Sequence, residues 1–514
     1  MTTGQDFWDV SVWSAMIELT VLLVGMLTAN MLRRLIKPLR QSLIPSSVLG
    51  GFLILFLDLA FKAVSGHSMF ANLMQVLTYN SQATATLGDY DKTFSRVMET
   101  LTYHGLGLGF VAVALRQSER EKNPKANTDV FNAGVTTVSS YLLQGVLGLA
   151  ITLGLYYMIN SWAASGLLLP MGFGQGPGQA YNWGHIFESG AGYNAAAGSG
   201  FDAFHYGTSF GLTIAALGFV TASIGGVFYL QRLKKKGLVK SGGVNAEEVE
   251  DLTAESITKK GEIPLSESLD KLTVQIGLVV FTYMAAYVVM YLISIGLDSL
   301  SVLLNTPFFV TTIKPLIWGF NFLIGVVMAI IMKAILKGIT KRGKRQYLNN
   351  FMLSRISGVM FDLMVVASIA AINLSAFTHR EFLIPLLLIC IVGGVATYLQ
   401  IRFITKRLYP DYQHEAFLSM YGMLTGTAST GIILVREIDP LFKTPAASNL
   451  VYQQLWAIVF GFPMLLLLGF APIGLNGDTT RSWITLAALA ALFVVMMLIL
   501  FRKQIFKKKA SQKL

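Results

Sequence analysis

Two short stretches carry the residue types able to recognise a small charged solute. The first is Met171-Gly172-Phe173-Gly174-Gln175-Gly176-Pro177-Gly178-Gln179-Ala180-Tyr181, four glycines and a proline between strongly apolar segments. The second is Gly422-Met423-Leu424-Thr425-Gly426-Thr427-Ala428-Ser429-Thr430-Gly431. Both concentrate small, hydroxyl and amide side chains, and both invite a break in the backbone. A broken helix exposes free N–H groups at one end and free carbonyls at the other. The N–H end attracts an anion such as a carboxylate. The carbonyl end, flanked by hydroxyls of Thr425, Thr427, Ser429 or Thr430, suits a hard cation such as sodium. The expected substrate-binding residues are Gly174, Gln175, Gly176, Gly178, Gln179, Gly426, Thr427, Ser429 and Thr430. The plainer reading of one such glycine run is close helix packing. Two runs at matching places favour a binding site.

The elements that must position them are apolar. The chain has 514 residues, 54% hydrophobic and 13% charged, against about 25% charge in a soluble domain. Apolar runs of about 20 residues recur, the mark of helices that cross a bilayer. They fall at about 12–32, 44–63, 99–114, 133–158, 208–230, 274–297, 316–336, 356–377, 382–403, 451–470 and 483–500. The first lacks the basic region of a cleaved signal peptide and is expected to remain as a helix. The net charge of +12 comes from short basic clusters between apolar runs, which fits a membrane rather than nucleic acid. The one cysteine, Cys390, lies inside an apolar run and has no intrachain partner. Tyr156, Tyr157 and Trp162 fit an interfacial aromatic belt.

Basic residues set the expected orientation. With the N-terminus outside, the outer loops hold Lys62, Lys92, Arg96, Lys314, Arg380 and Arg481, leaving 34 of the 40 on or beside the cytoplasmic side. That places the C-terminus on the cytoplasmic side of the cell's inner (plasma) membrane, provided that both glycine-rich segments, about 165–199 and 413–435, dip in and return. Each half then holds five spanning helices. An odd number makes the halves enter from opposite sides, as inverted repeats do. The expected fold is an all-α polytopic membrane protein. Two inverted five-helix repeats, 1–230 and 271–474, each carry a re-entrant hairpin. A cytoplasmic linker, 231–270, joins them, and an extra C-terminal transmembrane helix with a basic tail occupies 475–514.

Ionisable residues at membrane depth are functional candidates because a charge there is costly. Asp362 falls in the eighth run and His104 in the third. With Thr425, Asp362 is the expected cation ligand; its alternative role is a hydrogen bond to a neighbouring helix. Glu18 and Asp58 fit structural roles, and Glu188, Arg436 and Glu437 fit solvated charges closing the two hairpins. Gln144 and Asn373 need partners within the bundle. No His-Glu-x-x-His, Walker sequence, Gly-x-Ser-x-Gly or Cys/His cluster at a plausible position suggests an enzyme, an ATP-driven pump or a bound cofactor.

At this point the chain resembles the sodium/glutamate symporters. Ile44-Pro45-Ser46-Ser47-Val48-Leu49-Gly50-Gly51 is similar to that family's Ile-Pro-Glu-Pro-Val-x-Gly-Gly. Gly174-Gln175-Gly176-Pro177-Gly178-Gln179-Ala180-Tyr181 resembles its Gly-His-Gly-Thr-Gly-Ala-Ala-Trp hairpin, and Thr425-Gly426-Thr427-Ala428-Ser429-Thr430 its second hairpin. The resemblance covers roughly residues 12–474. It implies a homodimer taking up glutamate or a related small carboxylate with sodium, by an elevator-like movement. The chain departs at Gln175, where the family has His, at Ser46-Ser47 for Glu-Pro and at Pro177 for Thr. A carrier driven by protons, a cation antiporter and a passive channel are the alternatives.

Overall fold

The computed structural model describes residues 10–77, 87–117, 124–189, 204–238, 270–306, 309–340, 347–440, 443–472 and 477–511. Most of the expected linker, 239–269, and the end of the first glycine-rich segment, 190–199, lie outside the described residues. Every regular element among those described is helical. The order is α1 (Val10–Leu35), α2 (Ser46–Ser65), α3 (Leu87–Leu115), α4 (Pro124–Ile159), α5 (Pro177–Glu188), α6 (Gly207–Lys235), α7 (Lys271–Leu303), α8 (Asn321–Thr340), α9 (Asn350–Ala370), α10 (Arg380–Leu408), α11 (Gln413–Thr425), α12 (Ala428–Arg436), α13 (Gln454–Phe470) and α14 (Thr480–Ser511). Shorter helical turns join them.

Ten of the described helices, all but α5, α11, α12 and α13, are long and apolar enough to cross a membrane. An apolar run in hydrocarbon must satisfy its own backbone, and a helix does so within one segment. Local chemistry sets the ends. Pro45 stands in extended conformation before α2, and Gly66, with φ +78°, closes it by donating to Lys62 O. Asn349 accepts from the Met352 N–H at the start of α9. Lys406 and Arg407 occupy the last turn of α10, where the helix end carries partial negative charge.

Several boundaries differ from the apolar pattern: α3 begins at Leu87 rather than 99, α4 at Pro124 rather than 133, and the run at 316–336 divides at Phe320 into Lys314–Gly319 and α8. The run at 356–377 stops being α-helical at Ala370. Asn373 therefore lies outside the helix expected to contain it. Its side chain instead accepts from Ser375 N and Oγ, opening a short 3-10 turn. An amide this near the backbone competes with helical hydrogen bonds. The run at 451–470 is interrupted at Gln453, giving a short helix Ala446–Tyr452 and then α13, of which Trp456–Phe470 is the apolar part. Gln453 is fully buried, and its side-chain Oε1 accepts from Thr137 Oγ1 on α4 at 2.8 Å.

The core sits around α6. Some 67% of its apolar span is buried within the protein, against 17% for α8, so α6 is interior and α8 faces outward. Small residues let backbones meet there. Gly148 of α4 and Gly166 of the turn Ala163–Leu167 lie face to face, and a Cβ on either would overlap the other's carbonyl. Thr152 bridges the crossing, its hydroxyl donating to Ala163 O and accepting from Gly166 N. Gly148→Ala should therefore lower the melting temperature of the purified protein, by about 1–3 kcal/mol of strain. Gly154→Ala, in the same helix with open space beside it, should leave it unchanged or raise it.

Candidate functional site

Both glycine-rich segments fold as helix, break, helix. In the first, the turn Met171–Gln175 is widened to π-helical geometry and ends at Gly176. Gly176 has φ +85° and ψ −178°, a conformation that a side chain would strain. Pro177 then opens α5, where its fixed φ and missing N–H cost nothing. In the second, α11 ends at Thr425, Gly426 leaves the helix with φ −127° and ψ −106°, Thr427 is extended, and α12 begins at Ala428.

The two breaks meet. A Cβ placed on Gly176 would lie 3.2 Å from Thr427 Cγ2. One turn of α4 holds both. Tyr141 Oη donates to Gly174 O at 3.0 Å. Gln144 Nε2 donates to Leu424 O and to Thr397 Oγ1, each at 2.9 Å. Helix α6 closes the other side, with Gly211 against Ala180 O and Gly218 against Thr425 O, so close that a Cβ at either would collide.

In front of the breaks lies a cavity of about 320 Å³. Gln175, Gln179, Thr427 and Ser429 line its break side; Ser47, Ser354, Ser357 and Asp362 line the facing side. Arg116, at the end of α3, and Asp362 are the charged residues of the wall, with Ser47 beside Asp362 as a hydrogen-bonding partner. Phe110, Phe219, Phe322 and Phe361 supply apolar lining. Gln179 is the third residue of α5 and Ser429 the second of α12. Two helix N-termini, each carrying partial positive charge, therefore converge on one space. Gln179 is 1% exposed, and neither its Oε1 nor its Nε2 has a hydrogen-bond partner. A buried amide left unpaired costs free energy.

Of the expected residues, Gly174, Gln175, Gln179, Thr427, Ser429 and Asp362 share this wall. Gly176 forms the contact between the breaks. Gly178 packs on Leu106, and Gly426 lies against the Thr430 hydroxyl. Thr430 is fully buried behind Thr427, hydroxyl to hydroxyl at 3.5 Å. Thr425 is also fully buried outside the wall, its hydroxyl donating to Tyr421 O. The structure thus does not bring Thr425 and Asp362 into one wall. His104 lies against Tyr283, its Nδ1 at 3.0 Å from the phenol oxygen. Glu188 accepts from Thr208 N at the start of α6. Asp58 accepts from Met69 N and pairs with Lys62.

Tyr141, Arg116, Ser47, Ser354, Ser357 and Gln454 are wall residues that sequence reading missed. Tyr141 and Ser357 sit in apolar runs with no local mark, Ser354 lies just before one, Ser47 stands out only within the motif Ile44–Gly51, and Arg116 follows the third run as one of its basic neighbours. Past α12, burial pushes the Asp439 carboxyl up, but hydrogen bonds from Thr444 and Lys443 outweigh it and hold it below the ordinary range.

The cavity reaches Arg116 and Ser354 at one end. Away from that end, α5 is tied to the segment Lys314–Gly319. Asn182 Nδ2 donates to Gly319 O at 2.8 Å, and Trp183 meets the Phe320 ring edge-on.

Fold and site together define an all-α polytopic membrane protein with a largely apolar cavity that carries polar groups where two broken helices meet. No protein-family model, curated protein or solved structure matches the chain. Tyr141→Phe should leave Gly174 O without its donor and lower stability by about 1–3 kcal/mol, measured as a fall in melting temperature of the detergent-purified protein.

Proposed function

We propose that the protein is a sodium-coupled secondary carrier of a small carboxylate, with glutamate the first candidate. The observation that carries this reading is the convergence of two helix N-termini on a cavity that also holds the unpaired amide of Gln179. Broken helices at membrane depth that aim free N–H groups at a carboxylate are a recurrent carrier device. The carboxylate would lie between the first turns of α5 and α12, with Gln175, Gln179, Thr427 and Ser429 around it.

In this reading the two segments are re-entrant hairpins, each between the fourth and fifth spanning helix of an inverted five-helix repeat. The N-terminus is outside, the C-terminus is cytoplasmic, and the protein is a homodimer. Arg116 and Ser354 then mark the cytoplasmic mouth, and the Asn182–Gly319 bond helps to close the outer side. Elevator-like movement would carry the hairpins with α4, α6 and α10 past α2, α3 and α9, whose side chains form the facing wall.

The test is uptake of labelled glutamate into proteoliposomes, with and without an inward sodium gradient. Saturable, concentrative, sodium-driven uptake is the expected result; absent or sodium-independent uptake overturns it. Gln179→Leu should raise the half-saturating concentration about tenfold, equivalent to about 1.4 kcal/mol. The melting temperature should hold or rise, since replacing an unpaired buried amide by an apolar group relieves its desolvation. A second reading, proton coupling, draws on Asp362 as the carboxylate of the cavity wall. Uptake driven by a pH gradient and lost in Asp362→Asn would establish it instead. Flux that neither saturates nor concentrates substrate would establish a channel.

A further inference from the structure

Behind the second break, away from the cavity, three oxygen-bearing groups converge. They are Leu424 O in the last turn of α11, Thr397 Oγ1 on α10 and the side-chain amide of Gln144 on α4. All three residues are fully buried. The amide points its Nε2 at the two oxygens, and its own Oε1 has no partner. The oxygen and nitrogen ends of a glutamine differ by a half-turn of the side chain and are assigned by their neighbours. With the amide turned over, Oε1 would face Leu424 O, acceptor against acceptor. That arrangement is unfavourable alone and favourable with a cation between them.

We infer that Gln144, Thr397 and the Leu424 carbonyl form a binding site for a small monovalent cation, which turns the Gln144 amide over as it enters. Three features support this site. The last turn of α11 carries the negative end of its helix dipole. The polar groups are neutral oxygens in a buried setting, which can offset one positive charge but not two. Among the described residues no group of three or more His, Cys, Asp or Glu could hold a divalent ion. The amide is the switching element. Without the ion it ties α4 to the second break as a donor; with the ion it serves as a ligand. The ion would reach the back of the second break while the carboxylate reaches its front, so each fixes the same two residues, Gly426 and Thr427, from opposite faces. Sodium coupling as proposed above supplies the ion's role, and this site extends that reading from the cavity wall to residues outside it.

The test uses the purified full-length protein, with melting temperature followed as sodium chloride replaces choline chloride at constant ionic strength. A cation that binds only the folded state raises the melting point in a saturable way. The expected result is such a rise for the wild type, with the half-saturating sodium concentration increased at least tenfold in Gln144→Leu and in Thr397→Val. Gln144→Glu separates ligand from structural tie. It keeps an oxygen, loses the donor to Leu424 O, and should be less stable than wild type in choline but recover in sodium. If Gln144 serves only as a hydrogen-bond donor, Gln144→Glu will stay destabilised in sodium and the inference falls. It also falls if wild type shows no sodium-specific rise, or if all three variants keep the wild-type sodium dependence. Proteoliposome uptake judges the carrier reading separately: sodium-driven uptake together with an unaltered Gln144→Leu titration overturns this site and leaves that reading standing.

Discussion

A backbone interrupted at membrane depth must find partners for its freed carbonyls and N–H groups, because hydrocarbon offers none. Much of the interior answers to that requirement. The chain is broken twice, at Gly176 and at Gly426-Thr427, and each break leaves a carbonyl needing a donor. Tyr141 supplies one and Gln144 the other, from a single turn of α4. A single helix therefore fixes the spacing between the breaks. It need not be rich in polar residues to do so, only to place two donors three positions apart on one buried face. Helix α4 has to run through the centre of the protein, and its polar residues at 136, 137, 139, 140 and 144 are all fully buried.

That placement works only if backbones approach more closely than side chains normally permit. Gly148 against Gly166 brings the entry of the first segment onto α4; Gly211 and Gly218 bring α6 onto both breaks. Without water to drive helices together, such close packing and interhelical hydrogen bonds provide the association. The same glycines that look, in sequence, like generic membrane-helix composition here set the positions of specific carbonyls. The packing reading and the binding reading of the glycine-rich runs are therefore not rivals. Gly178 packs on Leu106, while its neighbour Gln179 faces the cavity unpaired.

Much of this was legible in the chain itself. Apolar runs of spanning length located the long helices, and Gly-Pro and Gly-Thr marked the two breaks, since each residue type acts on its own backbone. One boundary failed where a side chain competes with the helix: Asn373 captures the Ser375 N–H. The facing wall failed for a different reason. Ser47, Ser354 and Arg116 belong to three helices far apart in sequence, and a serine in an apolar run reads the same whether it bonds its own helix or faces a cavity. Asp362 was visible because charge in such a run is rare; Tyr141 was not, because tyrosine there is common. Thr425, though next to the break, turns its hydroxyl back to Tyr421 O one turn earlier, as a threonine in a last helical turn readily does. Proximity in sequence to a break does not decide which face a side chain serves.

The division of charge across the cavity has a mechanical consequence. The break side uses neutral groups, two glutamines, a threonine and a serine, with partial charges from helix ends; Arg116 and Asp362 belong to α3 and α9 across from it. A formal charge fixed beside the breaks would need a counter-charge in every position those segments occupied, at the desolvation cost of an ion in a low-dielectric interior. Helix dipoles impose no such demand, since their opposite ends travel with them. In the proposed carrier, a solute held by N–H groups and amides would therefore leave Arg116 and Asp362 behind without stranding an unpaired ion among the moving parts. The unpaired polarity at Gln179 and at Gln144 is in each case small enough for one bound solute or ion to satisfy.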